Sequence, residues 1–256
     1  LIFTLLFEQG QYQLSRNFRL QEVGDLDWLR ENYDFDAIAY YIDELVVLNV
    51  SRDGLEVERF ATALAELSER YFLPIAAGGG IRSMEDAYLL LRSNADKLVV
   101  NTALFKDNSL VRELVSTFGA QCVVASLDFQ TIGGASKVFT SCGLEDTGFS
   151  LFDAVNLVQE LGVGELYLTS MERDGTGFGY ELDIFDQVID ICSLPIIISG
   201  GVGKSEHFVE GMNLSGVSGV STANIYNFMV DGLKQARSHV VTSGIPMARW
   251  KTDLKE

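Results

Sequence analysis

The sequence predicts a single (β/α)8 TIM barrel, in which eight parallel strands close into a ring inside a layer of helices. Three observations lead to this fold class. Short β-branched segments form nearly continuous apolar runs, as strands buried on both faces do. Helical patterns separate these segments, and the two halves of the chain match each other. A length of 256 residues suits one such barrel.

The predicted strands and helices alternate along the chain. The strands are expected at 1–7, 44–50, 73–77, 96–101, 121–128, 164–170, 194–199 and 217–222. Helical patterns lie between them, for example at 83–93, 108–118 and 205–215. Eight alternations of strand and helix at this length indicate a (β/α)8 barrel.

The two halves of the chain match at a constant offset of 121 residues. The matched segments are "LPIAAGGGIRS" and "LPIIISGGVGK", "DELVVLN" and "GELYLTS", and "NTALF" and "TANIY", which begin at 73 and 194, 43 and 164, and 101 and 222. A shared offset over three strand pairs is hard to obtain by chance. We therefore expect one domain over 1–256, built from half-barrels at about 1–120 and 121–245.

Composition excludes several classes of function. A net charge of −17 argues against nucleic-acid binding, which needs a basic surface. No apolar run approaches the roughly 20 residues of a membrane span, so no membrane contact is expected. Three cysteines without a CxxC pair indicate a reducing compartment, and we expect a cytoplasmic protein. With only two histidines, no metal site, no Ser-His-Asp triad and no cofactor are predicted.

Glycine-rich turns follow the third and seventh predicted strands, at the end of the barrel where such folds carry their active sites. Each turn leads into a helix, so its backbone amides can face an anion. The alternative interpretation is that the glycines only form tight turns and bind no anion. Because small polar strand ends accompany them in both halves, we predict two phosphate sites and a phosphorylated ligand. The residues of these sites are Gly79, Gly80, Asn101, Thr102, Asp174, Gly175, Gly200, Gly201, Ala223 and Asn224.

A carboxylate ends the fifth predicted strand. Asp128 follows an apolar run, and a carboxylate placed there is costly unless it is solvated, paired or functional. We predict that Asp128 is a general acid or base. Thr169, at the end of the sixth strand, could assist it by hydrogen bonding.

Charged residues begin the second, fourth and sixth predicted strands. Glu44, Lys97 and Glu165 should share one layer at the N-terminal end of the barrel, because alternate strands point into the same layer. This layer could be a structural ion cluster or the gate of a passage through the bore.

These residues and motifs identify a resemblance that covers the whole chain. "DEL", "GGGIRS", "ADK", "NTA", "GAQCVVASLD", "GELYLTSMERDGT", "LPIIISGG" and "EHF" occur in this order. The chain resembles the cyclase subunit of imidazole glycerol phosphate synthase, of histidine biosynthesis. The resemblance implies a (β/α)8 barrel with two phosphate sites and a glutaminase subunit docked at the N-terminal face. Ammonia would then pass through the bore.

The resemblance also implies roles for individual residues. Glu44, Lys97 and Glu165 would be the ammonia gate, and Asp96 and Gln121 would lie near the docked glutaminase. The gate's usual arginine would fall just before Leu1, so the natural chain is expected to begin further upstream. No glutaminase nucleophile motif is present, so a partner would hydrolyse glutamine.

Three positions depart from the family pattern. Leu6 stands where cyclases carry the strand-1 aspartate, Leu14 replaces a lysine and Asn49 replaces an aspartate, while Asp128 remains. Ring closure needs an acid and a base on opposite sides of the substrate, and leucine can be neither. Half of the cyclase chemistry is therefore missing.

The departures favour one branch of the family over its alternatives. That branch stands beside sugar amidotransferases of surface-polysaccharide and lipopolysaccharide synthesis, where the barrel would pass ammonia to an enzyme acting on a nucleotide-linked sugar. A working or weakened cyclase, with its lyase step, is the first alternative. A non-catalytic structural partner of a glutaminase is the second.

Overall fold

The computed structural model describes residues 1–33, 35–51, 56–223 and 232–248. The strands in these ranges are β1 (Ile2–Glu8), β2 (Gln11–Arg16), β3 (Arg19–Gly24), β4 (Glu44–Asn49), β5 (Ile75–Gly78), β6 (Lys97–Val100), β7 (Val123–Ile132), β8 (Ala135–Thr140), β9 (Glu145–Ser150), β10 (Glu165–Ser170), β11 (Ile196–Ser199) and β12 (Val217–Thr222). Eight of them form a closed parallel ring in the order β1, β4, β5, β6, β7, β10, β11, β12. The predicted (β/α)8 barrel is confirmed.

Helices connect the barrel strands and cover the outside of the ring. They are α1 (Leu26–Tyr33), α2 (Phe35–Ile38), α3 (Val57–Arg70), α4 (Met84–Arg92), α5 (Ala103–Lys106), α6 (Asn108–Phe118), α7 (Leu151–Leu161), α8 (Leu182–Ile189), α9 (Ser205–Met212) and α10 (Gly232–Thr242). Local sequence explains several of their ends. Ser83 and Ser150 cap α4 and α7 by accepting hydrogen bonds from backbone N–H groups of the first turn. Over the described ranges, no helix is long and apolar enough to cross a membrane.

Two hairpins extend the barrel beyond the predicted elements. β2 and β3 form one after β1, and β8 and β9 form another after β7. The fifth predicted strand ended at 128, but β7 continues to Ile132 and turns back through Gly133 and Gly134, which both have positive φ. Glycine pairs of this kind are typical of tight hairpin turns. The sequence therefore carried a signal for the second hairpin that the strand prediction did not use.

Alternating side chains divide the buried residues into an outer and an inner core. On β1, Phe3, Leu5 and Phe7 pack under the helices. Ile2 faces the bore, and Thr4 and Leu6 line the cavity above it. This alternation is what a pleated strand in a barrel wall imposes. It places the Leu6 side chain on the wall of that cavity.

Candidate functional site

The C-terminal end of the barrel opens into a cavity of about 730 Å³. Its wall includes the apolar residues Leu6, Leu48 and Val99 and the polar residues Asn101 and Asp128. Volumes in this range, with an apolar wall and few polar groups, are typical of small-molecule sites.

Asp128 and Thr169 lie side by side on this wall. They are register partners on the neighbouring strands β7 and β10, and both line the cavity. The Asn101 side-chain amide donates to the Asp128 carboxylate over 3.3 Å. Burial, with a smaller contribution from the charge of Asp174, raises the pKa of Asp128 to about 7. A carboxyl group with this pKa can take up or release a proton near neutral pH.

The first predicted phosphate set opens onto the cavity. Gly79 and Gly80 turn with φ of +90° and +89°, and Asn101 and Thr102 line the same wall. The turn leads through Ser83 into α4, as the sequence predicted. Its amides therefore lie where an anion in the cavity could meet them.

Two basic residues that the sequence reasoning missed also line the cavity. They are Arg82, beside the glycine turn, and Lys106, on α5. Lys106 forms a 2.6 Å ion pair with Glu145 on β9. Both residues follow the ends of barrel strands, Arg82 after β5 and Lys106 after β6. That position in the sequence could have identified them as residues of the cavity.

The second predicted phosphate set is covered by the β2–β3 hairpin. Gly175, Gly200, Gly201 and Ala223 border a space of only about 10 Å³, room for about one water molecule. Asn224 lies outside the described residues. Asp174 and Ala223 of this set also line the larger cavity.

Asp174 holds the hairpin in place. The Ser15 hydroxyl donates to its carboxylate over 2.5 Å, and the Phe18 backbone N–H donates over 3.0 Å. The Asn17 N–H donates to the Asp174 carbonyl over 2.9 Å. Burial raises the pKa of Asp174 against these hydrogen bonds. A residue predicted to lie in a phosphate loop thus fastens the hairpin over that loop.

Glu44, Lys97 and Glu165 come together at the N-terminal end of the bore. The Lys97 ammonium donates to Glu44 over 3.1 Å and to Glu165 over 2.9 Å. Burial alone would lower the pKa of Lys97, but Glu165 and Glu44 outweigh it and raise that pKa. Burial raises the pKa of Glu44 even though Lys97 opposes the shift. These three residues are called the ion cluster below.

Asp96 and Gln121 lie at the same end of the barrel as the ion cluster. Asp96 directly precedes β6, is exposed and accepts a hydrogen bond from the Ile75 N–H over 2.8 Å. Gln121, also exposed, lies in the short helical turn Ala120–Cys122 that leads into β7. Both side chains are therefore on the N-terminal face.

Comparison with known proteins agrees with this architecture. The family model described as histidine biosynthesis protein matches residues 34–229, more than half of the chain. A protein of Parasynechococcus marenigrum (strain WH8102), provisionally named imidazole glycerol phosphate synthase subunit hisF2, is 42% identical over 251 residues. The alignment covers 98% of this chain and 93% of that protein. The chain belongs to the histidine biosynthesis protein family and is similar to an imidazole glycerol phosphate synthase subunit.

Proposed function

We propose that this protein is the barrel subunit of a cytoplasmic glutamine amidotransferase complex. A glutaminase subunit docks at the N-terminal face, with Asp96 and Gln121 among its contacts. Ammonia released there passes the ion cluster and travels through the bore to the C-terminal cavity. It then amidates a nucleotide-linked sugar for surface-polysaccharide synthesis, through a separate sugar amidotransferase.

The ion cluster is the observation that carries this proposal. Lys97 is held between Glu44 and Glu165 across the entrance of the bore, and all three side chains are only 16–26% exposed. Partly burying three charges costs desolvation free energy, and a buried ion pair is often no more stable than an apolar replacement. A charged layer at the entrance of a bore that otherwise carries no charge is therefore better explained by passage than by stability.

The cavity supports the binding of a phosphorylated molecule. The glycine turn at Gly79 and Gly80 supplies the first anion site, with Asn101 and Thr102 beside it. The turns at Gly175 and at Gly200 and Gly201 supply the second site once the hairpin releases Asp174. In this reading the hairpin controls access to one of the two sites.

The first alternative, a cyclase of histidine biosynthesis, is favoured by one specific observation. Asp128 lines the cavity beside Thr169, and its pKa of about 7 suits a general acid or base. The opposing wall carries Leu6, however, so the second proton-transfer group is missing. The other alternative, a purely structural partner of a glutaminase, is favoured by the dense packing of the bore between the ion cluster and the cavity.

Isotope transfer tests the proposal directly. The chain is purified together with its partner glutaminase and supplied with glutamine labelled with ¹⁵N at the amide, in excess unlabelled ammonium. Label is then followed into a nucleotide-linked sugar in the presence of a sugar amidotransferase, and separately into the substrate of authentic cyclases. We expect label in the sugar. Label only in the cyclase product would establish the first alternative. If no label is transferred in either reaction, the remaining hypothesis is a structural partner of a glutaminase.

A further inference from the structure

A cluster of inward-pointing side chains, called the bore layer below, closes the bore between the ion cluster and the cavity. This bore layer consists of Ile2, Val46, Ala76, Val99, Val124, Tyr167 and Ile197, none more than 6% exposed. Tyr167 and Val99 form part of the cavity floor, whereas no residue of the ion cluster lines the cavity. Anything that travels through the bore must therefore pass this layer.

Tyr167 is the one polar member of the bore layer, and three hydroxyl groups hold it in place. Its phenol oxygen lies 2.8 Å from the Thr4 hydroxyl and 3.0 Å from each of the Ser199 and Ser221 hydroxyls. The Thr4 and Ser221 hydroxyls are themselves 2.7 Å apart. The partners come from β1, β11 and β12, so the ring of Tyr167, on β10, is fixed across the bore.

The remaining members of the layer cannot easily open it. Ile2, Val46, Val99, Val124 and Ile197 are β-branched, which restricts rotation about χ1. Tyr167 differs because its hydrogen bonds can exchange partners. The four hydroxyls are at most 4% exposed and carry no charge, so they offer an ammonium ion no counter-charge. They do offer neutral ammonia, which both donates and accepts hydrogen bonds, a ready set of partners.

We propose that Tyr167 is the inner barrier of the bore and that its hydroxyl is the first hydrogen-bond partner of ammonia reaching the cavity. The inference rests on the proposed passage of ammonia. In each transfer the phenol leaves Ser199, donates to the incoming nitrogen and returns when ammonia has moved into the cavity. The ion cluster and Tyr167 then act in series, and the bore between them is not open to solvent at both ends.

Two substitutions separate the ring of Tyr167 from its hydroxyl, and a third provides a matched control. Tyr167→Phe keeps the ring and removes the hydroxyl, whereas Tyr167→Leu removes the ring as well. The control is Tyr180→Phe. Tyr180 is also buried and also donates one hydrogen bond, to the Ser221 carbonyl over 3.0 Å, but it packs in the outer core.

Crystals of the chain alone under xenon pressure test the barrier without any partner. In the unmodified protein and in Tyr180→Phe, we expect xenon in the cavity and none between Tyr167 and Lys97. In Tyr167→Leu, we expect xenon sites that connect the cavity to the ion cluster. Xenon throughout the bore of the unmodified protein, or a closed bore in Tyr167→Leu, would overturn the assignment of Tyr167 as a barrier.

Amination in the assembled complex tests the role of the hydroxyl. Ammonia from glutamine must pass Tyr167, whereas bulk ammonia can enter by the open mouth of the cavity. Tyr167→Phe should lower glutamine-dependent amination about two- to tenfold, the worth of one hydrogen bond. The ammonium-dependent rate should fall less than the glutamine-dependent rate, and Tyr180→Phe should alter neither rate. Equal losses in both rates, or no loss, would show that the hydroxyl only fills the core.

The two proposals fail in different ways. If the unmodified complex transfers no label from glutamine to any acceptor, the proposed function fails, and the xenon experiment alone decides whether Tyr167 closes the bore. If label is transferred but Tyr167→Phe has no selective effect, the proposed function stands and the role of the Tyr167 hydroxyl is wrong.

Discussion

Leu6 and Asp128 lie on opposite sides of the barrel cavity. Leu6 is on β1 and Asp128 on β7, and these strands are four places apart around the ring in either direction. Both side chains line the cavity. A carboxyl group whose pKa is raised to about 7 therefore faces an apolar side chain across the cavity.

This arrangement predicts that the chain does not turn over the substrate of authentic cyclases with ammonium salts. Losing one member of an acid–base pair costs about 10² to 10⁴ in rate. Leu6→Asp should raise any residual activity, whereas Leu6→Asn, similar in size but without an acid, should not. The measurement is product formation at saturating ammonium. Turnover by the unmodified chain at the rate of an authentic cyclase would contradict the prediction.

Asp128 should make the stability of the protein depend on pH. Its pKa rises from 3.8 to about 7 on folding, so between these values the folded state binds more protons than the unfolded state. The free energy of unfolding should then fall as pH rises from about 4 to about 7 and change little above that range through this group.

The variant Asp128→Asn isolates this contribution. The asparagine side chain cannot ionise. The difference in free energy of unfolding between the variant and the unmodified protein should therefore shift in favour of the variant by roughly 2 kcal/mol from pH 4 to pH 8. A shift of this size would represent about 4 kcal/mol in full, but cavity water reduces the cost of the charge. Denaturant unfolding at both pH values measures the gain, with Asp186→Asn, on the exposed side of α8, as the control. Parallel pH profiles for the two variants would rule out a raised pKa at Asp128.

The two glycine sets should bind phosphate unequally. Gly80→Asp places a carboxylate at the open turn and should abolish the binding of inorganic phosphate measured by titration calorimetry. Gly148→Asp is the matched control, because Gly148 also has positive φ but a side chain there would meet nothing within 4 Å. Retained phosphate binding in a folded Gly80→Asp variant would assign the turn a purely structural role.

Loosening the β2–β3 hairpin should expose the second anion site. Ser15→Ala removes the 2.5 Å hydrogen bond to Asp174. We expect the number of phosphate ions bound per chain to rise from one to two in this variant. Ser136→Ala, which removes a hydroxyl from the other hairpin at a contact with Thr131, is the control. A stoichiometry that stays at one would mean that the space beside Gly175 does not open to anions.

The location of a side chain could be predicted best where it depends only on the place of the residue along one barrel strand. Asp128, Leu6 and the ion cluster could be placed because alternation along a barrel strand determines which side chains face the bore. Asp174 could not be understood in this way. Its partners, Ser15 and Phe18, are more than 150 positions away in the sequence, and the folded β2–β3 hairpin brings them to Asp174.

The hydrogen bonds of Tyr167 could not be predicted from the sequence either. In "GELYLTS" a tyrosine reads as one more apolar residue of a buried strand. Its hydroxyl becomes notable only when β1, β11 and β12 bring Thr4, Ser199 and Ser221 around it. Strand order and shear determine this meeting, and neither can be read from the local pattern.

Lys97→Met provides the decisive test of the ion cluster. Methionine approximates the length and volume of the lysine stem, but it leaves the two partly buried carboxylates without their cation, so the free energy of unfolding should fall whether or not the cluster is a gate. The variant would leave Glu44 and Glu165 facing each other without a cation, so the ratio of glutamate to product, and not stability, distinguishes a gate from a structural cluster. Lys137→Met, which breaks the exposed 2.9 Å ion pair with Asp146, is the matched control.

A gate must keep water out while it admits ammonia. Lys97→Met should therefore leave the fold and the glutaminase partner active but release ammonia to solvent, so the ratio of glutamate formed to aminated product should rise well above one. In Lys137→Met, that ratio should remain near one. Because bulk ammonium bypasses the gate, the ammonium-dependent rate of the Lys97 variant should match that of the unmodified complex. An unchanged glutamate-to-product ratio in Lys97→Met would reduce the ion cluster to a structural feature and remove the main support for ammonia passage.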